Sequence, residues 1–560
     1  MGKQNKQGQP QQKKRQRRMT EEEKKKRFGP DYDPNFNSRK PANDSTTGAP
    51  DRNAPQFYYI NETVGKQMAN LPFNTLPGLE YSIEVTESRV RAQAISWIAD
   101  TSVVGGMAID YIPYFGLNNN KASGLNIAAQ QLFSYVRHAN SGARNYQAAD
   151  LMMYVLALTD VYASYFSIRR MLSAAKTFDI ENRYIPGLLG RMLCFNVDDA
   201  QANFANYAAR LNILAAKINS LASPKYFTLT LRRAFIEDKI FADSTSNRGQ
   251  FYAFRKSGYH MWSATTSDQG TELIYKEYLT TRTGTMWTID QYLDTLEEQL
   301  QAMLDDDDAA LMSGDILKAF SRENLYYIPS DEGSFILDIV FDEDVLAQIE
   351  NSVALGTYMA LPEISLEPDI DKRNKWFNVT QSVDANMILS GLHLSDADVP
   401  SDVDTGSTTL RCLKQLWFNS HKDEPTWENC LEWSRCMAVA VNMRVPTSGG
   451  GVASLDVQAG LELVQNYYVE AAGQSADIQT NFQTTAQAGT QTGILALSLL
   501  SQMDWHPIIY IKSPNGDITP MADLKVSTLV SGEVIARIHT MANESVLWNE
   551  NLYMRADKTR

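Results

Sequence analysis

One stretch limits what this chain can fold into more than any other. From Leu151 to Leu158 eight apolar residues follow one another, bracketed by Asp150 and Asp160. Leu151, Val155, Leu158, Tyr162 and Tyr165/Phe166 extend the apolar row at helical spacing. Asn145 is placed to cap the start, and Pro186 lies just beyond the far end. A helix that is apolar on nearly every side has to be sheathed by other elements. At about 1.5 Å per residue, Tyr146 to Phe178 spans roughly 50 Å, the width of a domain. The stretch predicts a central strut. Its unbroken apolar run is too short for a membrane span, which needs about 20 such residues.

The chain has 560 residues, 43% of them hydrophobic, enough to bury a large core in two or three domains. A net charge of −14 hides a split: residues 1–27 hold 11 Lys/Arg against 3 Glu, or +8. The remainder holds 41 basic and 63 acidic residues, or −22. An acidic body with one basic end repels nucleic acid over most of its surface and attracts it at one place. Four cysteines in so long a chain make no disulfide framework. The polar start MGKQNKQ is not a secretory signal, and Lys6 stands where a myristoylation motif needs Ser or Thr. A soluble protein made in a reducing compartment is the expectation.

Residues 1–55 read as a disordered basic arm. Its first 18 residues carry six Gln and seven Lys/Arg, and the polar tract is then punctuated by Pro30, Pro34, Pro41, Pro50 and Pro55. Lys3, Lys6, Lys13, Lys14, Arg15, Arg17 and Arg18, then Lys24, Lys25, Lys26 and Arg27, form the candidate nucleic-acid contacts. Thr20 with Glu23 makes a capping box, and Glu21–Lys25, Glu22–Lys26 and Glu23–Arg27 are helical pairs in the favourable order. Phe28 and Tyr32 come only after the charges, so binding would be phosphate-led, salt-sensitive and blind to sequence. A 55-residue coil reaches about 40 Å. The arm reads as a nucleic-acid tether, against the competing reading of a solubilising tail or a nuclear-localisation-like charge run.

Further along, Val90–Ala99 and residues 124–139 read as helices. Asp198–Ala222 is the cleanest amphipathic helix, with Phe204, Leu211, Leu214, Ile218 and Leu221 on one stripe. Thr288 and Gln291 make a capping box for a helix to Leu304, and another runs from Asp308 to Arg322 with Asp305–Asp308 joining the two. Ser334–Phe341 alternates as a strand, with Phe335, Leu337, Ile339 and Phe341 on one face. Ser395–Thr409 and Pro446–Gly451 read as surface loops. Gln483–Gln502 reads as a helix, and the stretch from Trp505 to Thr519 as a hairpin turning at Asn515–Gly516.

Little in the chain points to chemistry. Cys412, His421, Cys430 and Cys436 lack the close Cys pairs of a zinc knuckle, and Cys430 and Cys436, among Leu431, Trp433 and Met437, read as buried small hydrophobes. Asp396, Asp398, Asp402 and Asp404 echo a calcium loop without its closing Glu and read as a solvated loop. The six His are scattered without HExxH, GxSxG or a phosphate-binding glycine motif. His138 is a general-base candidate only if the fold brings a nucleophile near, and a buried, hydrogen-bonded histidine is the expectation. Asp160 reads as a paired structural acid. No enzyme, cofactor or metal site is expected.

Arg137, His138, Ala139, Asn140, Ser141 and Gly142 form a turn ahead of the strut, followed by Tyr146 and Asp150; Asn182, Tyr184 and Pro186 follow it. This arrangement is similar to the corresponding part of picobirnavirus capsid proteins. The basic, Gln-rich arm and the length agree with that resemblance, whose specific motif covers about a tenth of the chain. It implies a mainly α, shell-forming subunit of a small double-stranded RNA virus, assembled in the host cytoplasm from symmetric dimers into an icosahedral virion. It transfers no catalytic residue. On this reading residues 1–55 are the arm, 56–250 the first part of a helical shell, 251–480 a projecting, dimerising region of helix and strand, and 481–560 a return to the shell. The partitivirus capsid is the nearest alternative within the class. An RNA-coating nucleoprotein and a soluble enzyme with a basic tail are the rivals outside it.

Overall fold

In the computed structural model, residues 104–352 are described apart from short gaps, together with residues 377–390. Strands at 80–87, 95–102, 440–446, 452–458, 462–471, 474–478, 485–487, 508–512 and 518–525 and a few single residues are also described. The chain divides after Phe73 into two units, and of the first only Thr63 and Lys66 are described, both helical. The account below concerns the second.

Three strands open it: β1 (Glu80–Glu87), β2 (Ile95–Ser102) and β3 (Val104–Pro113). Helices α1 (Gly124–Ala139) and α2 (Ala148–Lys176) follow, then α3 (Ile185–Leu193), α4 (Val197–Ala202), α5 (Phe204–Ile218) and α6 (Thr228–Asp238). Next come β4 (Ile240–Ala242), β5 (Phe251–Lys256), β6 (Gly258–Ala264) and β7 (Thr271–Glu277). Two more helices, α7 (Ile289–Leu304) and α8 (Asp307–Phe320), precede the short β8 (Ile339–Val340) and α9 (Glu343–Asn351). The remaining strands are β9 (Thr380–Ser382), β10 (Met387–Leu389), β11 (Ala440–Pro446), β12 (Val452–Gln458), β13 (Glu462–Ala471), β14 (Gln474–Ile478), β15 (Thr485–Gln487), β16 (Ile508–Lys512) and β17 (Ile518–Lys525). The fold is mainly α with some β.

The predicted strut is α2. Its 29 residues rise about 43 Å, and from Ala148 to Ala175 only Asp150, Phe166 and Arg169 are not fully buried. By length and mean hydropathy it could cross a bilayer, more than the eight-residue run indicated, but packed elements bury it instead. Helices α1, α3, α5, α6 and α7 and the β6–β7 hairpin surround it. Its cap is not Asn145: Gln147 occupies that position, and its N–H donates to the Asp150 carboxylate at 2.8 Å. That carboxylate also suits the positive end of the helix dipole.

Against this core lies a six-stranded mixed sheet in the order β14–β13–β3–β5–β4–β8. β3 pairs antiparallel with β13 and parallel with β5. The boundary expected at 250/251 thus falls just before β5, a strand laddered between β3 and β4. Helix α3 approaches β3 closely at Gly106, where a Cβ would stand 2.4 Å from the Met192 sulfur, so only glycine fits without a shift.

Several predicted elements stand: residues 124–139, the capped helix to Leu304, the following helix from Asp307, and the hairpin of β16 and β17, whose turn lies outside the described residues. Others need correction. Part of the helix expected over Val90–Ala99 is strand β2, paired with β1; β-branched Ile95 and Ile98 beside Trp97 suit a pleated surface. The long helix expected over Asp198–Ala222 is two, α4 and α5, because Asn203 leaves helical geometry and its side-chain amide donates to the carbonyl and carboxylate of Asp199. The strand expected over Ser334–Phe341 shrinks to β8, since Phe335 turns into the left-handed region at φ 25° to pack on the Phe204 ring, 5.5 Å away. Phe335 is buried while Ile339 and Phe341 are exposed, so the four do not share a face. Within the helix expected over Gln483–Gln502, Thr485–Gln487 is a strand parallel to β11.

Candidate functional site

The turn before the strut works as a clamp. Arg137 donates through Nη2 to the Gly142 carbonyl at 2.7 Å, closing the loop at a glycine with φ 104°. The Asn140 amide donates to Val136 O at 2.8 Å and to Asp315 O at 3.0 Å, so the C-terminal end of α1 is stitched to α8. Tyr146 donates its hydroxyl to the Asp315 carboxylate at 2.6 Å. Asp150 accepts from Thr271 at 3.0 Å and from the Gln381 amide at 2.7 Å, joining the first turn of α2 to β7 and β9. Four separate chain segments meet here.

The other motif residues fare differently. His138 is exposed, not buried as expected, though its Nδ1 lies 3.1 Å from Ser134 O. Ser141 is exposed. Tyr184 and Pro186 serve another feature, opening helix α3 with proline in the first turn, where its missing N–H costs nothing. Asn182 lies outside the described residues, as do the basic residues from Lys3 to Arg27, the Cys412/His421/Cys430/Cys436 set and the acidic loop.

Halfway along α2 the expected paired acid is at the centre of a buried charge network. Asp160 Oδ1 accepts from Arg233 Nη1 at 3.0 Å, and Oδ2 accepts the His260 backbone N–H at 2.9 Å while His260 Nδ1 lies at the same distance. The far ring nitrogen of His260 sits 3.0 Å from Phe377 O. Lys256 donates to Ser164 at 2.8 Å, and Ser164 donates to the Asp160 carbonyl at 2.9 Å. Further along α2, Arg170 donates to Glu237 at 2.9 Å and to Phe254 O at 2.7 Å, and Tyr111 donates to the other Glu237 oxygen at 2.8 Å. Arg255 and Asp110 pair across β5 and β3.

The electrostatics follow from burial. Burial alone pushes the Asp160 carboxyl up, but the His260 hydrogen bond and the charges of Lys256, His260 and Arg233 outweigh it and hold the group well below the carboxylate range. Burial lowers the Lys256 ammonium despite Asp160 and Glu237 nearby. Burial, reinforced by Glu237, raises the Tyr111 phenol. Each of these groups faces protein partners and not an open cleft, so the network positions elements; it does not present an acid or base to a substrate. Among the described residues no group of three His, Cys, Asp or Glu is arranged to hold a metal ion. The sequence reading found Asp160 and missed Arg233, Lys256, Arg170 and Glu237. The available signal was charge inside apolar patterns, as in TLTLRRAFIED of α6.

A sheathed strut, clamps at its head and a charge network closed on itself are all devices that hold packed elements together. The model of the picobirnavirus capsid protein family matches residues 57–469, and the chain belongs to that family. It is 27% identical over 519 residues to the capsid protein precursor of human picobirnavirus, strain Human/Thailand/Hy005102, covering 89% of this chain and 92% of that one. It also superposes on the X-ray crystallographic structure of the picobirnavirus capsid with a TM-score of 0.63 and 32% identity, over 88% of this chain and 97% of that one. The chain is a virion structural protein.

Proposed function

We propose that copies of this capsid protein associate as symmetric dimers, close into a small icosahedral shell in the host cytoplasm and enclose double-stranded RNA, which the basic arm holds by its phosphates. The observation that carries the RNA half is the charge split, +8 over residues 1–27 against −22 over the rest. An acidic body leaves phosphate one place to bind, and an arm of 55 residues, which as a coil would reach about 40 Å, could line an interior without specifying sequence. Residues 56–250 and 481–560 form the shell and 251–480 supply the projecting, dimerising part, with β5 and β13 tying that region to β3.

Deleting residues 1–40 leaves particles that assemble, visible by electron microscopy, but that hold less RNA per subunit. Full-length protein loses bound RNA steeply with added salt, because up to 11 cations displace counterions. Deleted particles with a full RNA load would remove the arm from its role. RNA-dependent filaments in place of closed particles would remove the shell.

A further inference from the structure

Among the described residues the six-stranded sheet ends at β8, and that edge is apolar. Ile336, Ile339 and Phe341 expose 65%, 40% and 41% of their surface, while Phe335 is buried and Leu337 and Val340 pack against the core. Three large apolar side chains within six residues therefore point outward beside a strand that, among the described residues, is laddered on one side, to β4. Exposed sheet edges are ordinarily blunted by charge or proline, because they recruit other strands. Of the charges beside it, Asp338 pairs with Lys239, Lys239 also contacts Asp238 at 3.1 Å, and Asp238 pairs with Arg169 at 2.6 Å.

We infer that the outer edge of β8, with Ile336, Ile339 and Phe341, is a contact between two copies of this chain. The inference rests on the assembly reading above, which supplies the partner: the family is one of capsids, so copies of the chain meet by construction. Phosphate ligands do not fit, because the surface is apolar and acidic residues Asp342, Glu343 and Asp344 follow it. Pairing within the chain offsets the charges of Asp338 and Asp238, so these two acids would repel a second copy little. Three side chains are far less than the roughly 800 Å² per partner of a stable interface. The edge is the apolar centre of a larger contact, where truncations cost most.

The test is the double variant Ile336→Asp/Phe341→Asp in the full chain. Its subunits should keep the wild-type circular dichroism and melting temperature while particle yield falls about tenfold or more, as for an interface weakened by at least 1.4 kcal/mol. Particles at wild-type yield overturn the inference. Should the variant be insoluble, Phe341→Cys decides through its labelling by a thiol reagent above the wild-type background. Protection in particles with reactivity in dissociated subunits supports the contact. Equal labelling in both states overturns it, and so does protection in both, which would mean that one chain covers its own edge. If the wild type forms only small oligomers, the closed shell is wrong. The edge contact then stands if the double variant weakens those oligomers about tenfold by light scattering, and falls if it does not.

Discussion

Arg233 Nη1 lies 3.0 Å from Asp160 Oδ1, and neither side chain is accessible to water. The pair joins α6 to the midpoint of the strut. The same guanidinium donates to Tyr114 O at 2.8 Å, past the end of β3, and stacks 5.0 Å from the Phe115 ring centroid. One ion pair thereby fixes a helix, the strut and the end of the sheet relative to one another. Burying two charges is costly, so the pair contributes mainly through what its loss would leave behind.

Asp160→Ala leaves Arg233 buried without its counter-ion and is expected to cost about 3–5 kcal/mol, read as a lower urea midpoint of dissociated subunits. Lys256→Met should cost far less, because burial already disfavours that ammonium and a methionine of similar shape keeps the packing. Equal losses for the two variants would show that the carboxylate is not what organises the network.

The pH dependence follows from the same groups. The folded Asp160 carboxyl sits below its unfolded value of about 3.9. In that interval the unfolded chain binds the proton and the folded one does not, so the stabilisation is complete above about pH 4 and disappears as pH falls through the folded value. Lys256 is lowered instead, so its unfolded form binds more protons up to about pH 10.4 and stability rises with pH through that alkaline range. Melting temperatures between about pH 2 and 6 should show a shallower acid slope in Asp160→Asn than in the wild type. Identical slopes would assign the acid loss to other carboxylates.

The sequence made the strut legible because its apolar row is long and needs no partner to be seen. The helix ending at Leu304 was equally plain, since Thr288 and Gln291 carry their cap within four residues. What escaped was decided by tertiary partners. Asn203 breaks a helix through a local bond to Asp199, yet Asn is compatible with a helical stripe. Phe335 abandons a good strand pattern to reach Phe204. Arg233 and Asp160 are 73 positions apart, and no spacing rule pairs them. Tyr146 and Asp150 precede and open the strut in sequence, while Asp315 and Gln381, which complete the clamp, come from distant segments without a shared pattern.

Tyr146→Phe isolates that clamp. It deletes only the hydroxyl that donates to the Asp315 carboxylate at 2.6 Å, leaving the ring packed edge-on against Phe133. A hydrogen bond to a charged acceptor contributes about 1.5–3 kcal/mol, and a loss in that range is expected in urea unfolding. Asn140→Ala removes a further bond between the end of α1 and α8, the one to Asp315 O, together with the bond back to Val136 O. The two effects should not add, because both variants loosen the same α8 attachment. Additive losses would mean that Tyr146 and Asn140 act on separate elements.

The strongest demand falls on the strut itself. Val155 and Leu158 are fully buried, on a helix ringed by α1, α3, α5, α6 and α7. Leu158→Ala leaves a cavity and should cost about 2–5 kcal/mol, a loss that folded subunits can survive with a lower melting temperature. Val155→Asp or Leu158→Asp is different in kind. The new carboxylate has apolar neighbours and no place to reach water, and the charge network one turn away already satisfies its cations with Asp160. An unpaired charge there exceeds the whole stability of an ordinary domain, typically about 5–15 kcal/mol, so soluble folded protein should vanish. Both outcomes are read from the soluble fraction and from particle counts by electron microscopy. A Leu158→Asp chain that still assembled would make α2 peripheral, and the shell would have to draw its rigidity from the sheet.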